Sequence, residues 1–293
     1  MKRFNLSFAI TVLGITMLWG QNADVCKSDA IIQESNMQFL KAAELYEKAG
    51  QLYEKQNKTD AFMFYKAGQC FIKAKMYNRS LGNLDKAKEN NYNDADLYLK
   101  YSDAYVGIKD FNKAEKALLD GKRIFPESQT DFTKKMGYLY FNSAQYDKAV
   151  QYLKMAIGQE PNNYTYHYLL GSSYERIKKY QEAILEFERV IQLEPQHQKS
   201  IKKIGVLHFR LSDFLYTKEA KQYATLQNPT RVDYHRSTKK LEQIAQGYKK
   251  ALPYLEQTHA SSPKDEAIIK CLSIAYRRLK MEEKAAKMSA LLK

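Results

Sequence analysis

The sequence predicts an all-α protein, a solenoid of antiparallel helix pairs, and three observations carry that prediction. The 293 residues include only 12 Gly and 6 Pro, too few turn-formers for a loop-rich or all-β chain and in keeping with long uninterrupted helices. Small residues recur at Gly68, Ser102, Gly137, Gly171 and Gly205 with separations of 34, 35, 34 and 34, a period that marks stacked supersecondary units. Inside the units the apolar residues keep helical spacing, as Ala149, Leu153, Ala156 and Ile157 do on one face. A composition 44% hydrophobic and 27% charged suits a globular chain with a real core.

The first element is a leader over 1–20. Lys2 and Arg3 precede an apolar run from Phe4 to Trp19, the layout of an export signal, and the small Gly20 before Gln21 marks the expected cut. Ala23/Asp24 is the second choice; an uncleaved anchor and a lipid-modified Cys26 are the alternatives, the latter lacking the small residue and Leu expected just before it. The run is shorter than the roughly 20 residues that cross a bilayer. Next comes an N-terminal capping region, 21–60, in which Ala30 to Gln56 reads as one helix with Phe39, Ala42, Ala43, Tyr46, Ala49 and Tyr53 as its apolar stripe.

Four repeats follow, at 61–94, 95–129, 130–163 and 164–197. In the last two an aromatic stands three residues after the glycine (Tyr140, Tyr174). A small residue and a large apolar one then mark a second helix (Ala149 and Leu153, Ala183 and Phe187), and Pro161 and Pro195 end it. Proline pushes the residue before it out of the helical region, so the chain turns there. Residues 198–265 form an atypical repeat. Ile201, Ile204, Gly205 and His208 begin a first helix, yet the matching second helix comes only at Ala251, Leu255, Thr258 and Pro263. An insertion is expected over 213–240, broken at Asn228, Pro229 and Thr230, either as a lengthened helix pair or as a surface loop. A partial repeat (Ile269, Leu272, Ser273, Tyr276, Ala285) closes the chain at 266–293.

The blocks Thr133, Met136, Gly137, Tyr140, Ala149, Leu153, Ala156, Pro161 and His167, Leu170, Gly171, Tyr174, Ala183, Phe187, Val190, Pro195 resemble the tetratricopeptide repeat. The resemblance spans residues 30 to 293, strongest over 130–197 and weakest in the insertion. It implies a right-handed superhelical solenoid whose concave groove is lined by the first helix of each repeat. Carried over, the groove positions are Asp131, Lys134, Tyr138, Phe141 and Asn142; then Thr165, Tyr168, Ser172, Glu175 and Arg176; then Lys199, Lys202, Val206, Phe209 and Arg210. Aromatic and cationic side chains mix there, which suits an extended or helical protein segment or a peptide carboxylate. Tyr138 stands where the carboxylate clamp of chaperone-binding relatives has Asn, which weighs against a chaperone tail.

Enzyme motifs are missing from the sequence. There is no phosphate-binding glycine loop, HExxH or GxSxG, and His167, His197, His208, His235 and His259 lie singly. Cys26, Cys70 and Cys271 are too scattered for a disulfide framework or a zinc site. The chain therefore reads as a binding protein rather than an enzyme, with no cofactor and no metal. The formal charge of +14 is uneven: residues 1–197 hold 27 basic and 24 acidic side chains, residues 198–293 hold 20 and 9. Export argues against nucleic acid as the partner of that basic third. The function expected is a scaffold or adaptor of the cell envelope. The alternatives are an adaptor binding an anionic envelope polymer or lipid through the basic third, and an enzyme accessory with its site in the insertion.

Overall fold

The computed structural model describes residues 22–292, and the expected leader and its cut after Gly20 lie outside them. Fourteen α-helices and no strand occur among the described residues. They run α1 (Ala23–Ser35), α2 (Phe39–Lys55), α3 (Ala61–Lys73), α4 (Tyr77–Glu89), α5 (Ala95–Gly107), α6 (Phe111–Ile124) and α7 (Gln129–Asn142). The order continues with α8 (Tyr146–Gln159), α9 (Tyr164–Arg176), α10 (Tyr180–Leu193), α11 (Gln198–Ala224), α12 (Arg231–Ser261), α13 (Glu266–Arg278) and α14 (Glu282–Ala290). Consecutive helices pack as antiparallel pairs. None is long and apolar enough to cross a membrane. The chain divides into two compact units at Lys135/Met136, inside α7.

In the first unit the segment read as one helix over 30–56 is two, because the chain turns at Asn36 to Gln38. Met37 takes a left-handed φ of 56°, and the Gln38 N–H closes the α1 terminus on the Gln33 carbonyl at 2.8 Å. Ala23, Cys26 and Ala30 of α1 are buried with Ala42, Ala43, Tyr46 and Ala49 of α2, the stripe the sequence showed. Burial pushes the Cys70 thiol of the same cluster up to about 11.

The same turn recurs through both units at Lys75, Lys109, Ala144, Lys178 and Lys280, all with left-handed φ. The N–H of the residue after each bonds to the carbonyl of Phe71, Tyr105, Tyr140, Tyr174 and Tyr276 at 2.8 or 2.9 Å. The repeated aromatic therefore has two tasks: its ring packs and its carbonyl ends the first helix.

The second unit shows why a glycine precedes that aromatic. A Cβ on Gly171 would lie 3.0 Å from the Phe187 ring and 3.2 Å from the Ala183 carbonyl, so the small residue sets how closely α9 and α10 cross. Glu160 and Glu194, before the prolines, have left the helical region, with ψ 73° and 84°. His167 is buried and bonded to Glu186 at 2.7 Å and to the Pro161 carbonyl at 3.0 Å.

The inserted length is a lengthening of both helices, α11 to 27 residues and α12 to 31. The expected 213–240 falls within these two helices and the turn between them. From Tyr248 onward α12 already packs as the repeat's second helix, with Tyr248, Ala251 and Leu255 fully buried. The extension is held by polar contacts. Glu219 is buried and takes Lys240 at 3.1 Å, and Thr230 and Asp233 cap α12 reciprocally after the Asn228–Pro229 break.

Candidate protein-binding face

The residues expected to line a groove sit on the first helices of the pairs. Lys134, in the first unit, lies 3.5 Å from Asp131 of its own helix. In the second unit Tyr138 is half-buried with its ring 5.9 Å from that of Tyr166, and burial together with the charge of Glu160 raises its hydroxyl pKa. Phe141 packs edge-on against Tyr146 at 6.0 Å, and Asn142 is exposed. On α9, Tyr168 contacts Phe187 and His197, Ser172 is 8% exposed, and Arg176 reaches over the Tyr146 ring at 6.0 Å.

On α11 the expectations divide. Lys199 is exposed and makes no ion pair among the described residues. Phe209 is 7% exposed and packs on Tyr248, ring centroids 5.8 Å apart, so it belongs to the core of α11 to α13 and offers no free ring. Lys202 bonds Asp265, the N-cap of α13, at 2.5 Å. Glu175 of α9 takes Lys203 and, at 3.7 Å, Arg210. The first helices are thus tied to one another by their own charges, and two cations read as carboxylate binders already hold carboxylates.

Arg210 is the cation this face can spare. It stays 58% exposed, and Glu175 has Lys203 as a second and closer cation. An exposed pair of this kind contributes about 1 kcal/mol or less. Lys203 and Asp265 were not legible as members of the face, since Lys202 and Asp265 lie 63 positions apart and no local spacing joins them. Among the described residues no group of three His, Cys, Asp or Glu side chains could hold a metal. Burial raises the Cys271 thiol to about 11 and lowers the imidazoles of His197 and His208.

In residues 136–293 a run of helix pairs whose first helices α9, α11 and α13 are joined by ion pairs defines a helical-repeat protein. The particular fold is that of tetratricopeptide-repeat proteins. A family model described as anaphase-promoting complex, cyclosome, subunit 3 matches residues 124–190. The solved C-terminal part of a tetratricopeptide repeat-containing protein from Cytophaga hutchinsonii is similar over 90% of this chain and 93% of its own, at 14% identity and a TM-score of 0.63. That likeness carries the fold. Smaller similarities exist to YrrB, described as a tetratricopeptide protein with an unusual peptide-binding site (20% identity, 61% of this chain and 90% of that one, TM-score 0.48). MamA from Desulfovibrio magneticus RS-1 is another (15% identity, 64% and 95%, TM-score 0.47). No curated protein matches the chain.

Proposed function

We propose that the protein is an interaction scaffold of the cell envelope, exported by its leader, which docks a segment of another protein on the first-helix face of residues 136–293. One observation carries the reading: Glu175–Lys203 and Lys202–Asp265 link α9, α11 and α13, which supports a continuous surface built from separate repeats. Phe141, Tyr168, Arg176, Lys199 and Arg210 stand on it, rigid aromatic area beside cations that can meet a carboxylate. Lys2, Arg3 and the apolar run to Trp19 support export.

Site-specific photo-crosslinkers test both parts. Placed at Phe141 or Tyr168 in cells, they should capture discrete protein adducts in the envelope fraction. One at Leu185, which is 64% exposed on α10, should capture none. Adducts at Leu185 equal to those at Phe141 overturn the docking face, and a cytoplasmic protein overturns export.

A further inference from the structure

Beyond Arg278, where α13 ends, α11 and α12 run on for several turns and leave uncovered the side they present next to α13. A notch of about 460 Å³ opens there. Tyr216, Leu241 and Ala245 supply its apolar floor, and Lys249, Arg278 and Lys280 stand around it against a single carboxylate, Glu242. The Arg278 guanidinium lies 3.8 Å from the centre of the Tyr216 ring and also meets the Tyr248 hydroxyl, while its Nε is buried. No carboxylate pairs with Arg278, Lys249 or Lys280 among the described residues, and Glu242 pairs with no cation.

A half-buried guanidinium held on an aromatic ring, with no carboxylate of its own, suits a planar acceptor, since its fork matches a carboxylate. The two lysines carry further positive charge to the same opening. The apolar floor, with the small Ala245 and Thr238, admits close approach of a helix in the way short side chains permit at helix crossings. We propose that this notch docks an acidic amphipathic helix of a protein partner, apolar side on Tyr216, Leu241 and Ala245, with its carboxylates on Arg278, Lys249 and Lys280. The inference rests on the scaffold reading and adds a second docking surface, built by the lengthened helix pair.

The test uses the full chain and a fluorescein-labelled synthetic helix of about four turns, Leu along one stripe and Glu beside it. Fluorescence anisotropy should show saturable binding that weakens steeply with added salt. A peptide with Lys in place of Glu should not bind. Lys249→Glu/Lys280→Glu alters only exposed side chains, so its circular dichroism should match the parent while its affinity falls about tenfold or more. Arg278→Gln should weaken binding as well. Equal affinity of the double variant, equal binding of the Lys peptide, or binding to phosphatidylglycerol vesicles but not to the Glu peptide would each overturn the proposal. Peptide binding lost while crosslinking at Phe141 persists removes the notch alone, whereas loss of both removes the scaffold reading.

Discussion

The Tyr248 hydroxyl donates to the Asp213 carboxylate at 2.9 Å, across 35 positions of sequence, so the two ends of the lengthened segment meet in space. The 34 residues between them equal one repeat period. Removing them joins Arg210-Leu211-Ser212-Asp213 to Tyr248-Lys249-Lys250-Ala251, which parallels Arg176-Ile177-Lys178-Lys179 and Tyr180-Gln181-Glu182-Ala183 at the α9–α10 turn. Deleting 214–247 should therefore leave a folded chain with an ordinary helix pair at this position. Circular dichroism and a cooperative urea transition check this; a non-cooperative, aggregating product would show that the extension is needed for the fold.

Lys202 on Asp265 makes a pH-dependent contribution. The lysine, chiefly, holds the Asp265 carboxyl below its ordinary value of 3.8, with backbone N–H groups of α13 adding to the effect. A carboxyl depressed in the folded state contributes stability that is complete above its unfolded value and lost as pH falls through the folded one. Lys202→Met should thus be less stable than the parent at pH 7, and the difference should shrink below about pH 4. Urea unfolding at pH 7 and pH 3 measures it. A difference that stays constant with pH would show that the ion pair contributes nothing.

The five recurrent left-handed turns carry residues that bear a Cβ, against a conformational preference for glycine. Ala144, exposed with φ 58°, has no side-chain contact to lose beyond its methyl. Ala144→Gly should stabilise the protein by about 0.5–1 kcal/mol, relief of the left-handed strain outweighing the entropy gained by the unfolded chain. Denaturant midpoints decide it, and a lowered midpoint would mean the strain is smaller than the entropy.

Gly121 makes the opposite case. A Cβ there would stand 2.5 Å from the Phe132 ring and 2.8 Å from the Tyr98 Cβ, with Phe132 fully buried. Gly121→Ala should cost about 1–3 kcal/mol in spite of alanine's better helix propensity. A gain in stability would show that the Phe132 ring has room to turn.

Local chemistry made the repeats legible: glycine, aromatic, alanine and proline at fixed offsets each answer to a contact within one helix pair. Gly171 against Phe187 and Pro195 after Glu194 are such cases. The α1–α2 break was missed because Asn36, Met37 and Gln38 carry neither glycine nor proline, and a left-handed Met37 has no sequence signature. The face joining the repeats was only half legible. Lys202 was visible by its helix position, but the partner that occupies it, Asp265, sits at the far side of the inserted hairpin.

Phe209 and Phe214 put the distinction between face and core to one measurement. They lie five residues apart on α11, both aromatic, and the sequence alone placed Phe209 in the binding groove. In the structure Phe209 is 7% exposed and packs on Tyr248, whereas Phe214 is 67% exposed. Truncating a buried phenylalanine removes its burial and leaves a cavity, a loss of about 3–5 kcal/mol. Truncating an exposed one changes stability by about 0.5 kcal/mol or less. Phe209→Ala should accordingly lower the urea midpoint strongly and Phe214→Ala should leave it in place. Comparable midpoints for the two variants would return Phe209 to the docking surface, because a ring that can be removed without destabilising the fold is not part of its core.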